Sequence, residues 1–462
     1  MHLQGSFRLI SLVALAALSS PISLDAQDQA APPAPSTPSP DATPNPFFFH
    51  DGDTPAVFLG DTITEQKLYT TLVETYVLTR FPTWKISFRN VGWDGDTSGL
   101  LKRGGIDAGL SRDVLPLNPK AVVIAFGMND ARGGQATYSY YLKNTTKLVK
   151  DLEKAGARVA LVTSSPEEKY EPGSPAGSRY NVTLKKYVDG LKVVSDNEKV
   201  PFVDQYSPFV ALIEAGRAAG VLSPDGVPTG DADVTRLTSD GIHPNWGGHF
   251  LMATLILQAL KAPAMVSSVS VDAAAHSITA SEGCSQVEWQ DAPPGCVQIK
   301  RIDNAEIWPL PGLSPEAQAQ IDLALKIPGF DPYATLNRYE LKVTNLKDPL
   351  YSLTIDGQES GVYPAADLAN GVNLALQRQG PLYDQGQDIL KTVIAKNDAY
   401  FERWRNLQLF QMPDWLARVG GVEDARAAEI ARLDKLISDD EQALDLMRKP
   451  SPHILKLTPV TK

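Results

Sequence analysis

Cysteine is scarce in this sequence, since only Cys284 and Cys296 occur among its 462 residues. Neither lies in a spacing typical of zinc or iron–sulfur ligands, so we expect neither kind of site. If the chain is exported, the two thiols enter an oxidising compartment. Their closeness along the chain then favours one local disulfide over two free thiols.

Dense basic runs are also missing, because 43 Lys plus Arg stand against 54 Asp plus Glu, for a formal net charge of −11. Nucleic acid and anionic membrane surfaces recruit positively charged proteins, so both are excluded as expected partners. The apolar content of 43% and charged content of 21% are typical of a soluble globular protein. A chain of this length predicts two or three structural units.

Common signatures of enzyme sites are absent from the sequence. It contains no G-x-S-x-G, no H-E-x-x-H, no G-x-x-x-x-G-K-[ST] and no G-x-G-x-x-G. These absences argue against a serine nucleophile elbow, a zinc metalloprotease helix, a P-loop and a dinucleotide-binding turn. We also find no internal repeat.

The N-terminus carries a short apolar run, residues 9–18, after a weakly basic start. Residues 1–26 are therefore predicted to be a secretory signal peptide cleaved after Ala26, because the run is too short to span a membrane. An uncleaved N-terminal anchor is the alternative interpretation, since the residues before Ala26 are a poor context for cleavage. Residues 27–47 are rich in Pro, Ala and Ser and predict a solvated linker. We expect a periplasmic or extracellular protein without stable membrane insertion after cleavage.

Between residues 48 and 262, apolar strand-like segments alternate with amphipathic helical ones. Segments such as AVFLG, AVVIAFG and RVALV have no polar alternation, which is typical of strands buried on both faces. This order predicts an α/β domain with a parallel sheet covered by helices. Ligands of such sheets bind at the carboxyl ends of the strands, so the loops there are the place to look for a site.

The pattern changes after residue 262. Residues 263–362 consist mainly of short β-branched segments separated by turns, and they predict a small β-rich module. Residues 363–462 carry helical patterns and predict a C-terminal helical region. Neither segment contains a motif that indicates a function.

Four polar loops in the α/β region carry candidate chemistry: GDT, NVGWDGD, GMND and SDGIHPN. In the last, Asp240 lies three residues before His243 and can accept the Nδ1 proton, which leaves Nε2 as a general base. Asn129 follows a buried strand and can point an amide donor at a developing oxyanion. Gly92 allows a backbone N–H to approach a substrate oxygen. Each feature alone also has an ordinary explanation as a cap or turn.

In their order and spacing, these loops resemble the four sequence blocks of the SGNH hydrolase superfamily, also called GDSL esterases and lipases. The likeness covers residues 53–262. It implies a three-layer α/β/α, flavodoxin-like fold that hydrolyses esters or thioesters, including acetyl groups on polysaccharides. It also implies that no metal and no organic cofactor is needed.

The resemblance assigns roles to individual residues. His243 would be the base and Asp240 its orienting partner, while the position of the family's nucleophilic serine falls on Thr62. The oxyanion hole would consist of the Gly92 amide, the Asn129 side chain and the Thr62 amide. Asp61, in the same block as Thr62, is expected to contribute to substrate binding.

Threonine at position 62 departs from the family pattern. Its additional methyl group stiffens χ1 and fills space beside the attacking oxygen. A displacement of about 1 Å would cost roughly 10²-fold in rate, while oxyanion donors and binding alone would leave about 10³-fold over water. Three functions stay open: a slow esterase, a pseudoenzyme that binds acylated carbohydrate, and an interaction scaffold. The retained Asn129, Asp240 and His243 favour the esterase.

Two tryptophans beside these blocks bear on the substrate. Trp93 and Trp246 could each present a flat indole face to a sugar ring, or pack in the rim or core. The export signal and the acidic balance predict an uncharged substrate, with O-acetylated polysaccharide first and small-molecule esters next. A lipid fits less well, because the α/β region has no long apolar lid segment. The oligomeric state stays open.

Overall fold

The computed structural model describes residues 46–168, 178–223, 234–311 and 314–460. The predicted signal peptide and nearly all of the predicted linker lie outside the described residues. The linker prediction extends too far, because Phe47 is buried in an aromatic cluster with Phe49 and Phe81. Within the described ranges, no helix has the length and apolar character needed to cross a membrane.

A five-stranded parallel sheet in the order β2-β1-β3-β4-β5 forms the centre of the α/β domain. Its strands are β1 Ala56–Gly60, β2 Phe88–Asn90, β3 Ala121–Ala125, β4 Arg158–Val162 and β5 Phe202–Val203. All five residues of β1 are buried, which explains its continuous apolar run. The predicted flavodoxin-like α/β fold is confirmed, and the ends of β1, β2 and β3 meet at one edge.

Seven helices of this domain are described: α1 Thr62–Glu65, α2 Leu68–Arg80, α3 Ile106–Gly109, α4 Gln135–Lys154, α5 Tyr180–Glu198, α6 Tyr206–Ala218 and α7 Trp246–Ala259. The chain from Thr62 to Arg80 forms two helices, because Lys67 between them adopts a left-handed conformation with φ 67°. The break makes α1 a single turn beside the candidate site. Helix α2 is buried from Tyr69 to Arg80.

The rest of the chain adds two sheets and six α-helices within the described ranges. Sheet β13-β10-β6-β7 uses β6 Met265–Asp272, β7 Ser277–Glu282, β10 Arg338–Thr344 and β13 Val372–Asn373; sheet β12-β11-β14-β9-β8 uses β8 Cys284–Gln290, β9 Val297–Asp303, β11 Leu350–Ile355, β12 Gln358–Pro364 and β14 Pro452–Pro459. The helices are α8 Pro315–Leu325, α9 Pro332–Leu336, α10 Ala365–Asn370, α11 Pro381–Phe401, α12 Asp414–Ala417 and α13 Val422–Met447.

Strand β14 corrects the interpretation of residues 363–462 as helical. It inserts between β11 and β9, so the end of the chain completes the β-rich module. Its buried positions alternate at His453, Leu455 and Leu457, a period-two signal in a segment with no helical periodicity. The β-rich module therefore does not end at residue 362.

The expected local disulfide is wrong, because both cysteines are free. Cys284 begins β8 and lies opposite Asp303, at the end of the hairpin far from its turn. Cys296 lies in the turn itself, directly before β9. An extended strand rises about 3.4 Å per residue, so the hairpin holds the two sulfur atoms too far apart to bond.

The helical region packs directly on the α/β domain through α11 and α2. The Lys396 ammonium forms an ion pair with the Glu74 carboxylate, and both side chains are almost fully buried. Asn397 donates to Thr71 Oγ1 and to Glu74 Oε2, each at 3.0 Å. These polar contacts satisfy buried charge and fix the position of α11 on α2.

Candidate active site

Asp61 and Thr62 connect β1 to α1. Asp61 caps the helix, since its Oδ1 accepts a hydrogen bond from Ile63 N at 3.1 Å, and the residue is 4% exposed. Burial, with the nearby charges of Asp130 and Asp96, raises the pKa of Asp61 to about 7. The expectation that Asp61 contributes to substrate binding is corrected, because its side chain lies beneath the site.

The Thr62 hydroxyl makes two hydrogen bonds to the loop after β2. Oγ1 donates to Asp94 Oδ1 at 2.8 Å and accepts from Gly95 N at 2.9 Å. Within the described part of the chain, the hydroxyl makes no hydrogen bond to His243. The loop after β2 therefore determines the direction of the hydroxyl in the resting structure.

Gly95, rather than Gly92, supplies the backbone donor beside Thr62. The Gly92 N–H donates to Asn90 Oδ1 at 2.8 Å, so it is already occupied. A Cβ on Gly92 would lie 2.3 Å from Glu65 N, which shows that this glycine permits close packing of the loop against α1. Gly95 has φ +68°, a conformation that favours glycine. The sequence offered two glycines in one loop, and only the fold distinguishes them.

Buried charges that the sequence did not reveal hold this loop. Arg103 Nε donates to Asp96 Oδ2 at 2.7 Å, and both side chains are fully buried. The same guanidinium donates to the Val91 carbonyl at 2.7 Å. Ser98 N donates to the Asp130 carboxylate at 3.1 Å, and burial raises the pKa of Asp130 to about 6. Their charge-assisted bonds make the loop a rigid support for Gly95.

Asn129 lies close to the same donor. Its Nδ2 donates to the Asp96 carbonyl at 2.9 Å, and Asp96 follows Gly95 in the chain. An amide nitrogen carries two hydrogens, so one remains for another acceptor. The structure thus brings Thr62, Gly95 and Asn129 together at the edge where β1, β2 and β3 end.

Asp240 and His243 form the predicted pair. His243 Nδ1 lies 2.7 Å from Asp240 Oδ2. Asp240 Oδ1 accepts from Ile242 N at 2.8 Å and from His243 N at 2.7 Å. Partial burial raises the pKa of Asp240, but these hydrogen bonds outweigh it and the net pKa is lowered. The His243 side chain is 30% exposed, so the imidazole is partly accessible to a substrate.

Three hydrogen bonds of Glu168 position the Asp240–His243 loop. The buried Glu168 accepts from Leu237 N and Thr238 Oγ1, each at 2.9 Å, and its own N–H donates to Gly241 O at 2.8 Å. Burial raises the pKa of Glu168 to about 7. Nothing in the sequence near Glu168 indicated this role, because the contact joins segments about seventy residues apart.

A hydrogen bond between Gln66 and His249 connects the segment that carries Thr62 to the helix that follows His243. Gln66, directly after α1, pairs its Oε1 with His249 Nε2 in α7 at 2.8 Å. His249 also stacks on Tyr69 of α2, with ring centroids 6.0 Å apart. Helices α2 and α7 therefore carry the two halves of the candidate site next to each other.

The two tryptophans have different environments. Arg405 lies 3.6 Å from the centre of the Trp93 ring, and Trp404 packs against the ring edge at 6.1 Å. Of the two environments left open for Trp93, packing is favoured over a sugar platform, because Arg405 and Trp404 contact the indole. Trp246 is half-buried at the start of α7 and lines a cavity. In the described residues, no group of three or more His, Cys, Asp or Glu is arranged to hold a metal ion.

Comparisons with known proteins agree with the α/β fold described above. Residues 58–251 match the GDSL-like Lipase/Acylhydrolase family. A gut microbial diltiazem-metabolizing enzyme has 26% identity and a TM-score of 0.71, with 89% of this chain and 98% of that chain covered. Its likeness extends through the β-rich and helical regions. No curated protein matches.

Two other solved structures resemble a smaller part of the chain. An acetylxylan esterase from Geobacillus stearothermophilus has 20% identity and a TM-score of 0.37, with 46% of this chain and 96% of its own covered. A hydrolase from the metagenome of Lake Arreo, Spain, has 22% identity and a TM-score of 0.37, with 46% and 97% covered.

Proposed function

Because residues 58–251 belong to the GDSL-like lipase and acylhydrolase family, we propose that this ester hydrolase acts with Thr62 as its nucleophile. The observation that carries the proposal is the placement of Thr62 Oγ1 at the end of β1, 2.9 Å from the Gly95 amide. That placement supports a nucleophile whose oxygen is oriented by a backbone donor. His243 serves as the base and Asp240 orients it.

In the proposed reaction, Thr62 Oγ1 attacks the ester carbonyl carbon and its proton passes to His243 Nε2. The second Asn129 amide hydrogen and the Thr62 N–H stabilise the negative oxygen, while the Gly95 N–H stays on Thr62 Oγ1. His243 then protonates the leaving alcohol, and the acyl group stays on Thr62. A water molecule, deprotonated by the same imidazole, releases the acid in the second half of the reaction.

Asp94 slows this reaction in the proposed mechanism. The resting hydroxyl donates its proton to the Asp94 carboxylate, so the O–H bond must turn toward His243 before attack. Rotation about Cβ–Oγ1 accomplishes this without moving the oxygen. Because a hydrogen bond to a charged group is stronger than a neutral one, the carboxylate competes with the imidazole for the proton.

The same contact favours a second candidate function. If the hydroxyl stays committed to Asp94, the site retains an acylated ligand without turnover, as a binding protein would. The accessible His243 and the remaining Asn129 amide hydrogen support the hydrolase over this alternative. A pure scaffold role would need neither.

We further propose that the substrates are acyl esters of neutral carbohydrate and that the protein acts outside the cytoplasm. The predicted signal peptide supports export, and the acidic chain, with net charge −11, supports an uncharged substrate. Small-molecule esters also fit. Diltiazem, the drug metabolised by the structural neighbour, carries an acetyl ester and is therefore a suitable probe.

Hydrolysis assays with four proteins test the proposal: the parent, Thr62→Ser, Thr62→Val and His243→Ala. The substrates are 4-nitrophenyl acetate, acetylated xylan and diltiazem. Valine matches the shape of threonine without its hydroxyl, so Thr62→Val is the matched control. We expect hydrolysis by the parent, a higher rate in Thr62→Ser, and rates near buffer in Thr62→Val and His243→Ala. An inert parent beside an active Thr62→Ser would favour the binding function, and a fully active Thr62→Val would overturn the proposed nucleophile.

A further inference from the structure

A cavity of about 280 Å³ lies between the first turns of α7 and α8, next to the proposed active site. Its walls include Ser239 and Pro244, which flank the Asp240 to His243 segment in the chain. Gln66 forms another wall, and its N–H donates to the Thr62 carbonyl at 3.0 Å. The cavity therefore borders both catalytic segments.

Half of the described residues that line this cavity are polar and neutral. Gln66 uses its Oε1 for His249, which leaves its amide nitrogen without a partner in the described part of the chain. Burial lowers the pKa of His249 to about 3, so this ring brings no positive charge to the wall. Glu316, exposed on α8, is the single ionisable side chain among the lining residues. The half-buried indole of Trp246 supplies an apolar surface.

Such a wall suits a neutral ring with several hydroxyl groups. Amide and hydroxyl side chains and one carboxylate can exchange hydrogen bonds with hydroxyls, and an indole can cover the apolar face of a sugar. The Glu316 carboxylate repels an anionic ligand. A long alkyl chain would bury these polar groups unpaired, which costs free energy. The volume is at the lower end for ligand pockets, about 300 Å³, and suits one ring better than a large ligand.

Resting on the proposed function, we propose that this cavity binds the alcohol part of the ester as a neutral sugar ring, with α8 as its selective wall. Helix α8 lies outside the residues that match the hydrolase family. It is held firmly, because a Cβ on Gly247 of α7 would lie 2.4 Å from the Gln320 carbonyl of α8. Trp246 N also donates to Gln320 Oε1 at 3.2 Å. The segment after the α/β domain thereby gains a role in substrate choice.

Binding and turnover are measured separately to test this subsite. Binding of acetylated xylotriose is measured by isothermal titration calorimetry. All proteins carry His243→Ala, which prevents turnover. This single variant is compared with double variants that also carry Glu316→Gln or Trp246→Ala. The matched control is Glu359→Gln, which removes an exposed carboxylate from β12, away from the cavity. Circular dichroism verifies that each variant is folded. We expect Glu316→Gln and Trp246→Ala to weaken binding about tenfold each, as the loss of a charged hydrogen bond or a ring contact does, and Glu359→Gln to leave it unchanged.

Hydrolysis of 4-nitrophenyl acetate, which has no sugar, separates the two proposals. We expect Glu316→Gln in the parent background to reduce kcat/KM for acetylated xylotriose about tenfold and to leave the aryl ester rate unchanged. Aryl ester hydrolysis without xylotriose binding would overturn the sugar subsite and leave the hydrolase intact. Xylotriose binding that depends on Glu316, without any hydrolysis, would support the subsite and refute the hydrolase. Equal binding by all cavity variants would overturn the subsite.

Discussion

Thr62 and Asp94 are joined by a hydrogen bond in which the threonine Oγ1 lies 2.8 Å from the carboxylate Oδ1. The Gly95 N–H donates to the same oxygen at 2.9 Å. Because threonine already has a stiff χ1, these two bonds leave the hydroxyl one direction in the resting protein. The loop after β2 therefore fixes the hydroxyl of the residue that stands at the expected nucleophile position.

Replacing Asp94 by alanine should raise kcat for 4-nitrophenyl acetate about tenfold, because a hydrogen bond to a charged group is worth about 1.5–3 kcal/mol and holds the proton away from His243. Asp94→Asn keeps an acceptor without the charge, so its rate should lie between those of the parent and Asp94→Ala. Steady-state kinetics of the three proteins measure this order. A loss of activity in Asp94→Ala would show that the carboxylate itself takes the Thr62 proton.

Glu168 should act as a positioning residue for the catalytic histidine. Glu168→Ala removes the acceptor for Leu237 N and Thr238 Oγ1, and we expect kcat to fall roughly tenfold, as for a small misplacement of the base, with little change in KM. Glu168→Gln keeps an acceptor oxygen and should restore most of the rate. Equal losses of kcat in both variants would indicate that the Glu168 charge, rather than the position of the Asp240–His243 loop, supports catalysis.

Asp61 should make stability depend on pH. Burial raises its pKa from 3.8 to about 7, so between these values the folded protein keeps a proton that the unfolded chain releases. Its contribution is complete below pH 4 and is lost as the pH rises through about 7. The Asp130 and Glu168 carboxyls shift in the same direction.

Asp61→Asn keeps an oxygen for the Ile63 N–H and removes the titration. Denaturant unfolding at pH 5 and pH 8 should show a smaller loss of unfolding free energy in Asp61→Asn than in the parent, by at least about 1 kcal/mol. Parallel losses in the two proteins would contradict the assignment of Asp61 as a buried neutral carboxyl.

Much of the fold could be predicted from local patterns. The continuous apolar run of β1 and its helical neighbours indicated a parallel sheet, and the spacing of Asp240 and His243 indicated their pairing, because both signals lie within a few residues. The strand β14 was overlooked, since its alternation has meaning only beside β9 and β11, which are far away in sequence.

The site was harder to predict where long-range contacts decide it. Two glycines lie in the loop after β2, and only the packing of Gly92 against α1 shows that Gly95 is the donor beside Thr62. For Trp93 the sequence left a sugar platform and packing open, and the contact with Arg405 from the distant C-terminal region favours packing. Neither relationship leaves a periodic signal in the sequence.

The cysteines offer a simple test of the β-rich module. Cys284 and Cys296 should both titrate as thiols in protein unfolded without reductant, because the hairpin separates them. In the folded protein Cys284 should react with a thiol reagent more slowly than the cysteine of a short unstructured peptide. The reason is that burial raises the pKa of the Cys284 thiol to about 11. A mass that falls by two hydrogens in the isolated protein would reveal a disulfide and contradict this hairpin.

Peptide mass spectrometry after brief reaction with 4-nitrophenyl acetate tests the role of Thr62 most directly. An acid quench preserves the acyl-enzyme, and Thr62→Val provides the matched control. We predict one acetyl group on the peptide that contains Thr62 in the parent, more of it in Asp94→Ala, and none on that peptide in Thr62→Val. Release of 4-nitrophenol by the parent with no acetyl group on Thr62 at any time, and at an equal rate by Thr62→Val, would contradict a threonine nucleophile.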